Sequence, residues 1–268
     1  MLAVILGIVA YAPPAVAQWD DEFRFVKDYE TKTCVLNLGQ DLVGDIVIPD
    51  YYEGYKVVGI GAGAFQDNDN ITGVHISDNV EVIGDFAFAR CKNLKTLKLP
   101  YNLREIGAES FMGTELETVY LDNVGDWCSM TINGTASFSN PLKSTYLIIN
   151  GTETTTVTIP EGVEKIVDQA FMDATITEVY FPSTLKRIGF RSFAFCYNLE
   201  SLDFPDSLES IGRCCFESCN NLKSYGHENE ASNGVNVGWR LNALMFSGFV
   251  GFGCGRPEKR SEHLLEFG

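Results

Sequence analysis

The cysteines are the side chains in this sequence best suited to chemistry. Cys214, Cys215 and Cys219 precede His227, a set of groups that could ligate zinc, and Cys128 could act as a nucleophile. The zinc interpretation lacks a paired C-x2-C spacing, and no recognisable pattern ties a histidine or an acid to Cys128. We therefore predict no metal site and no catalytic residue in this set.

The acidic run at 67–70 is a second candidate site, because Asp67, Asp69 and Asn70 resemble half of a calcium-binding loop. Ile71 occupies the third ligand position, however, and no glutamate follows at the twelfth. The run is more typical of a polar turn. The sequence also contains no G-x-S-x-G, no phosphate-binding loop and no H-E-x-x-H, so we expect no cofactor.

Composition narrows the class of partner. The 268 residues include 20 Lys and Arg against 36 Asp and Glu, giving a net charge of −16. Such a negative field repels phosphate backbones and anionic lipid, so we expect no nucleic-acid binding and no membrane-surface binding. A hydrophobic content of 45% and a charged content of 21% indicate a chain that folds.

The N-terminus has the pattern of a secretory signal peptide over residues 1–17. Residues 2–12 are apolar, and Ala15-Val16-Ala17 has the small-x-small pattern of a signal-peptidase site. The apolar stretch is too short to span a bilayer core, which needs about 20 residues. We expect cleavage before Gln18 and a secreted or cell-surface protein.

A repeat of about 23 residues organises the middle of the chain. An Ile-Gly pair recurs and is followed by a small residue and a phenylalanine, with spacings between the phenylalanines of 23, 23, 60, 22 and 23 residues. Their number and regularity predict stacked structural repeats. The six phenylalanines are Phe65, Phe88, Phe111, Phe171, Phe193 and Phe216.

Each repeat contains a short segment with period-2 alternation, such as Leu97-Lys98-Leu99, which predicts a strand and ends at a proline. One repeat cannot bury its apolar side chains alone, whereas stacked repeats share a continuous elongated core. The glycine after the isoleucine is expected to let the backbone bend. Phe193 is expected to be buried between neighbouring coils.

The repeat resembles the BspA-like leucine-rich repeats. Residues 71–94 follow that family's pattern almost position for position, with Ser77 in place of a proline, and the resemblance covers roughly residues 44–224. It implies an α/β repeat solenoid of the leucine-rich-repeat type, with short parallel strands stacked coil on coil. It also implies a non-enzymatic surface or secreted protein that mediates adhesion to host proteins or other cells.

The long spacing between Phe111 and Phe171 holds an insertion, expected to form an oversized coil at 117–156 within the solenoid. Residues 122–130 are predicted to form one or two helical turns. Residues 146–150 and 155–159 are predicted to pair as a hairpin that turns near Asn150-Gly151.

Both ends differ from the repeats. Residues 18–43 contain two alternating stretches and are predicted to form a β-rich N-terminal cap on the first coil, because terminal repeats need a polar outer surface. Residues 225–268 lack the repeat and are predicted to be an irregular C-terminal cap or a disordered tail.

Cys91, Cys196 and Cys219 share one repeat position. Stacking would bring Cys196 and Cys219 to about 5 Å, close enough for a disulfide. Side chains of parallel in-register coils do not point at one another, however, so we expect free buried thiols.

The outward residues of the predicted strands form the candidate binding site. We expect successive coils to place them side by side, with three glutamates beside the row, and tyrosines flanked by carboxylates suit a protein interface. The alternative is an ordinary solvent-exposed strand surface. The row comprises His75, Lys98, Tyr120, Thr158, Tyr180 and Asp203, and the glutamates are Glu117, Glu178 and Glu200.

The leading hypothesis is therefore a monomeric, exported protein that binds a protein ligand, such as a host extracellular-matrix protein or another cell-surface protein. The alternatives are a structural spacer without its own ligand and an enzyme, of which the sequence favours the enzyme least.

Overall fold

The computed structural model describes residues 24–39, 42–134, 136–222 and 224–227. The predicted signal peptide and the part of the predicted C-terminal segment after His227 lie outside the described residues. Within the described chain, helix is confined to two segments of four residues each, α1 (Val124–Trp127) and α2 (Ala136–Ser139).

The strands are two to six residues long, because each coil contributes only a short segment to a sheet before the chain turns. In chain order they are β1 (Arg24–Asp28), β2 (Thr33–Leu38), β3 (Gly44–Ile48), β4 (Tyr51–Tyr52), β5 (Tyr55–Ile60), β6 (Ile71–Ile76), β7 (Val82–Ile83), β8 (Thr96–Lys98), β9 (Glu105–Ile106), β10 (Thr118–Tyr120), β11 (Thr131–Ile132), β12 (Tyr146–Ile149), β13 (Thr152–Thr154), β14 (Thr156–Thr158), β15 (Lys165–Ile166), β16 (Glu178–Tyr180), β17 (Arg187–Ile188), β18 (Ser201–Phe204), β19 (Ser210–Ile211) and β20 (Ser224–His227).

These strands form four sheets of stacked coils. Sheet A has the order β1-β2-β5-β7-β9-β11, with β4 also paired to β5, and sheet B has the order β13-β12-β10-β8-β6-β3. Sheet C has the order β14-β16-β18-β20, and sheet D has the order β15-β17-β19. Neighbouring coils pair in parallel, as in β8–β10 and β16–β18. The predicted fold class, a repeat solenoid of the leucine-rich-repeat type, is confirmed.

The repeated phenylalanines form the centre of the core. Phe193 is fully buried, and its ring stacks at 5.3 Å from that of Phe171 and at 5.6 Å from that of Phe216. The first three phenylalanines stack in the same way, at 4.9 Å and 5.5 Å. The expectation that Phe193 is buried between coils is confirmed.

The phenylalanine segments are turns because each is flanked by left-handed residues. A positive φ recurs two residues before and two residues after the phenylalanine, which interrupts any run of right-handed helical dihedrals. The residues before it are Gly63, Phe86, Glu109, Gln169, Arg191 and Cys214. Those after it are Asp67, Arg90, Gly113, Asp173, Phe195 and Ser218.

The glycine of the Ile-Gly pair has a different role from the one expected. Gly107 does not have a positive φ, and a Cβ atom there would lie 2.3 Å from the amide nitrogen of Asp85 in the preceding coil. The glycine therefore permits close stacking of coil backbones, a role that was not expected from the sequence. Val167 stands at this position above the oversized coil, and its amide donates to the Cys128 carbonyl at 2.9 Å.

The oversized coil contains the expected helical turn, α1, whose first turn is capped by the Asn123 side chain accepting from the Asp126 amide. The hairpin turns at Asn150-Gly151 as expected, but β12 pairs with β13 at 152–154. The predicted pairing with residues 155–159 is wrong, because β14 pairs in parallel with β16 and begins sheet C.

At the N-terminal end, β1 and β2 form an antiparallel hairpin, and β2 pairs in parallel with β5 of the following coil. At the other end, β20 pairs in parallel with β18 through His227. The strand stacking therefore continues three residues beyond the expected boundary at residue 224.

Candidate binding face

The cysteines of the described chain are core residues, except Cys214, which is partly exposed. Six of them are free thiols in the described chain, and all six are buried. Cys128 is fully buried, and burial raises the pKa of its thiol well above the usual value, so no reactive thiolate forms. Cys215 and Cys219, two of the groups considered for zinc, are buried as well, and burial raises the pKa of the Cys219 thiol to about 12.

The shared cysteine position has a structural role. Each thiol donates to the carbonyl of the phenylalanine in the preceding coil: Cys91 to Phe65 at 3.0 Å, Cys196 to Phe171 at 3.1 Å and Cys219 to Phe193 at 3.1 Å. These donors satisfy backbone carbonyls in the core. The expectation of free buried thiols at this position is confirmed.

The run at 67–70 forms a turn tied to its neighbours. Asp67 accepts two hydrogen bonds from the Arg90 guanidinium at 2.5 Å and 2.7 Å, and Asp69 accepts from Lys92 Nζ at 3.1 Å. The Asn68 amide donates to the carbonyls of Gly39 and Leu42, each at 3.1 Å. The carboxylates therefore bind cations of the next coil. In the described chain, no group of three or more His, Cys, Asp or Glu is arranged to hold a metal ion.

The outward positions of the strands form two separate faces. Each strand points its central residue inward, such as Val119 or Val179, and its flanking residues outward. We call the outward residues of sheet B the first face and those of sheet C the second face. The first face contains Asp45, Val47, Gly73, His75, Thr96, Lys98, Thr118, Tyr120, Tyr146, Ile148 and Glu153. The second face contains Thr156, Thr158, Glu178, Tyr180, Ser201 and Asp203.

The single row predicted from the sequence is therefore wrong. Tyr120 lies opposite Lys98 on one side and Ile148 on the other, and it is not a neighbour of Thr158. The register places Thr158, Tyr180 and Asp203 together. The β12–β13 hairpin ends sheet B before β14 begins sheet C, and this break divides the row.

The three glutamates do not share one position. Glu178 is the first residue of β16 and belongs to the second face, whereas Glu117 and Glu200 precede their strands. Glu117 forms an ion pair with Lys95 at 3.2 Å, which places it beside the first face. The structure thus brings Glu178 next to Tyr180 and leaves the other two carboxylates outside that pair.

The first face carries charges of both signs, with Lys98 alongside the acids Asp45 and Glu153. Lys98 Nζ lies 3.4 Å from the Asp122 carboxylate. His75 is partly buried, and burial lowers the pKa of its imidazole, with repulsion from Lys98 lowering it further. Tyr120 is also partly buried in this face.

The second face is acidic. Tyr180 is 57% exposed, and its hydroxyl donates to the Glu178 carboxylate at 3.2 Å. The charges of Glu178 and Asp203 raise the pKa of the Tyr180 hydroxyl, so it remains a neutral donor. All residues of the second face are exposed or partly exposed, and Glu178 and Asp203 are its charged members. This arrangement offers an aromatic ring between carboxylates to a partner.

A cleft of about 490 Å³ lies between the β12–β13 hairpin, β14 and α1. The β12–β13 hairpin contributes Asn150 and Thr152, β14 contributes Thr156 and Thr158, and Tyr101 lines the cleft beside α1. Sequence reasoning missed Tyr101, which is 51% exposed, and Tyr146 of the first face, which is 65% exposed. The alternation of residues 146–149 placed Tyr146 in a strand and could have identified it as an outward residue.

The stacked coils, the turn at each phenylalanine and the outward strand faces define a leucine-rich-repeat solenoid. A family model described as the BspA type leucine rich repeat region, in six copies, matches residues 58–150 and 144–233. These matches cover more than half of the sequence, and the chain belongs to this family.

Solved structures share the fold. The leucine-rich-repeat protein of T. pallidum is 24% identical with a TM-score of 0.57, and the match covers 75% of this chain and 88% of that protein. A leucine-rich-repeat protein from Bacteroides ovatus is 25% identical with a TM-score of 0.55, covering 79% of this chain and 55% of its own. A leucine-rich cell surface protein from Faecalibacterium prausnitzii is 24% identical with a TM-score of 0.52, covering 83% and 57%. The chain thus spans a little over half the length of the last two proteins.

A search of curated proteins finds no match. Among the described residues, no helix has the length and apolar character needed to cross a membrane.

Proposed function

We propose that this protein is an exported, non-enzymatic adhesion or interaction protein that binds a protein partner through its strand faces. The observation that carries the proposal is the second face, where the exposed Tyr180 ring lies between the carboxylates of Glu178 and Asp203. Tyrosine supplies a large amphipathic contact area, and such residues dominate truncation costs at interfaces.

The charge of the second face defines the chemistry of the partner. Because its charged residues are acidic, it favours a partner surface that presents Lys, Arg or other hydrogen-bond donors. The overall charge of −16 attracts such a surface over a longer range. The first face, which includes His75 and Lys98, suits a different partner surface or one of more mixed charge.

Export is supported by the apolar stretch at 2–12 and the small-x-small pattern at Ala15-Val16-Ala17. The F. prausnitzii protein of the same fold is described as a cell surface protein. Expression in a secretion-competent bacterium followed by N-terminal sequencing tests this proposal. Secreted chains should begin at Gln18, and exported chains that retain Met1 would contradict it.

The binding experiment uses immobilised protein and a panel of extracellular-matrix and cell-surface proteins. For a partner found in this way, Tyr180→Ala should weaken binding by about 2 kcal/mol, or roughly 30-fold. The stability should change by less than about 0.5 kcal/mol, because the side chain is exposed. Tyr197→Ala is the matched control, since Tyr197 is 48% exposed but lies in a turn outside both faces.

Glu178→Lys separates charge from contact area. We expect it to slow association and to reduce the salt dependence of binding, as rim charges do. Tyr120→Ala reports on the first face and Tyr101→Ala on the cleft. If binding of the partner is unchanged by Tyr180→Ala and Glu178→Lys but is weakened by Tyr120→Ala or Tyr101→Ala, the binding site does not lie on the second face.

A further inference from the structure

Among the described residues, no strand lies beside the outer edge of β1. β1 is the first strand in the order of sheet A, and in the described residues it pairs with β2 alone. The backbone groups along such an edge can pair with a strand of another chain. Proteins that avoid this pairing place charges, prolines or bulges along the edge. Residues 24–28 include no proline, but three of the five are charged, and the pairing of β1 with β2 shifts register between Arg24 and Phe25. A strand that pairs with this edge must therefore match its charges.

The opposite sides of β1 have different environments. Phe25 and Lys27 point to one side, where Phe25 stacks on the Tyr52 ring at 4.3 Å and Lys27 forms an ion pair with Glu53. These contacts hold the strand in place. The residues that point to the other side, Arg24, Val26 and Asp28, are exposed, and Val26 is 61% exposed.

The sequence of β1 is self-complementary when read against itself in the antiparallel direction. A pairing centred on Val26 places Val26 opposite Val26 of a second copy. Arg24 then lies opposite Asp28 of that copy, and Asp28 lies opposite its Arg24. Two opposite-charge pairs flank one apolar pair on the exposed side, and cross-strand pairs of both kinds stabilise antiparallel sheets.

On sheet A, a row of apolar residues in neighbouring strands ends at Val26, the centre of the proposed pairing. The strand registers align Val26 with Val35, Val35 with Gly59, and Gly59 with Val82. Val82 is 39% exposed, so the row is accessible on the outer side of sheet A. A second copy joined at β1 would continue this row across the two-fold axis.

We propose that the protein forms a symmetric dimer in which β1 pairs antiparallel with β1 of a second copy, so that sheet A runs through both chains. This proposal goes beyond binding of a partner protein and replaces the expectation of a monomer. The interface is isologous, because the same surface of each copy meets itself. A five-residue pairing buries less than a standard interface, so the dimer should be concentration-dependent.

The dimer leaves the two strand faces available. The first and second faces belong to sheets B and C, whereas β1 belongs to sheet A. Each dimer would therefore carry two copies of each face and would bind an immobilised partner with higher avidity than a monomer does.

A cysteine placed at the two-fold axis tests the register. Directly opposed residues in an antiparallel pair have Cα atoms about 4.5–5.5 Å apart, which is within the range of a disulfide. Val26→Cys should thus give mostly covalent dimer under mild oxidation, measured by non-reducing electrophoresis of the full mature chain. Tyr29→Cys is the control: Tyr29 is 71% exposed but three residues from the centre, and this variant should remain at the wild-type background. Equal cross-linking of the two variants would overturn the proposal.

Charge reversal tests the ion pairs, with the mass measured by analytical ultracentrifugation over a range of concentrations. Arg24→Asp places two pairs of carboxylates opposite each other and should raise the dimer dissociation constant by about tenfold or more. Arg24→Lys preserves the charge and should remain dimeric. Mixing Arg24→Asp with Asp28→Arg restores both pairs, so this mixture should form a heterodimer while each variant alone is monomeric.

Asp28 also accepts hydrogen bonds from the amides of Glu30 at 2.9 Å and Thr31 at 3.2 Å, so the thermal unfolding of Asp28→Arg must be measured first. If that variant is unstable, the comparison of the masses of Arg24→Asp and Arg24→Lys tests the dimer on its own. A wild-type protein that is monomeric at all concentrations, or identical masses for those two variants, would overturn the proposal.

Discussion

The regular coils and the oversized coil fill the same core in different ways. In the regular coils, phenylalanine rings stack with interplanar angles below 10°. In the oversized coil, the Phe111 amide donates to the Phe138 carbonyl, which places Ser139 where the next phenylalanine would be. The buried Trp127 provides the large aromatic side chain of this coil, and its indole nitrogen donates to the Ala170 carbonyl at 2.9 Å.

The two kinds of coil also satisfy buried backbone groups with different side chains. Regular coils use a thiol, as in Cys91 and Cys196, to reach one carbonyl of the coil before. In the oversized coil, the Asn140 amide donates to the carbonyls of Gln169 and Ala170 at 2.9 Å and 3.0 Å. Each of these coils therefore needs a large side chain to fill the core and a buried side-chain donor for the backbone carbonyls of a neighbouring coil. Different residue types can supply the two.

The stacked phenylalanines should give the largest effect. Phe193→Ala removes a fully buried ring from between two others, and we expect a loss of about 3–5 kcal/mol in the free energy of unfolding, measured with denaturant. Phe190→Ala is the control, because Phe190 is 37% exposed and should cost less than about 1 kcal/mol. A similar small loss at both positions would mean that the stack does not stabilise the regular coils.

The oversized coil should be sensitive to its amide. Asn140 is only 3% exposed, and besides its two donated hydrogen bonds it accepts one from the Leu142 amide at 2.9 Å. Asn140→Ala leaves these buried groups without their partner and should cost about 2–3 kcal/mol in unfolding free energy. Asn133→Ala, on a partly exposed residue of the same coil whose side chain donates only to the Glu105 carboxylate at the surface, should cost far less.

If Asn140→Ala proves neutral, the oversized coil does not depend on its polar contacts, and the comparison with the regular coils fails. Hydrogen exchange adds a local measurement. The amides of residues 166–172 should exchange faster in the variant, because the carbonyls of Gln169 and Ala170 lie in that segment.

The sequence was sufficient to predict the features that depend on local residue patterns. Phe193 in the core, the free thiols at the cysteine position, the helical turn within 122–130 and the turn at Asn150-Gly151 each depend on local patterns of residue type. Such patterns determine whether a side chain points inward or outward, and they do so through the period of the strand.

The sequence was not sufficient to predict which strands are neighbours across the insertion. Only Thr155 separates β13 from β14, and both strands are threonine-rich, so alternation alone did not show that one closes sheet B while the other opens sheet C. The division of the binding row into two faces follows from that pairing. Strand register depends on long-range contacts that one sequence does not contain.

The thiol position should give an intermediate effect. Cys91→Ala removes a buried sulfur and its hydrogen bond to Phe65, and we expect a loss of about 1–2 kcal/mol in unfolding free energy. Cys91→Thr should cost less than Cys91→Ala, because it fills more of the volume and its hydroxyl can donate within its own coil, as Thr114 at the equivalent position donates to the Phe111 carbonyl at 2.8 Å. A threonine variant less stable than the alanine variant would show that this position specifically requires sulfur.

The smallest expected effect concerns pH and distinguishes the two faces. Burial lowers the pKa of His75 from its usual value of 6.5, and repulsion from Lys98 lowers it further, while Asp50, Asp78 and Asp122 act weakly in the opposite direction. The unfolded chain therefore takes up a proton at a higher pH than the folded chain does. Above pH 6.5 the stability should be unaffected by this group, and it should fall as the pH decreases below that value.

Hydrogen exchange at neutral pH and at about pH 5.5 measures this effect by region. Amides of β6 and β8 should exchange faster at the lower pH, whereas those of β14 and β16 should not, because β14, β16 and the adjacent β18 contain no histidine. His75→Gln should abolish the difference, since its side chain does not titrate. The usual pKa of aspartate, 3.8, lies well below this window. Equal acceleration in both regions would mean that the oversized coil does not separate the two halves of the solenoid energetically.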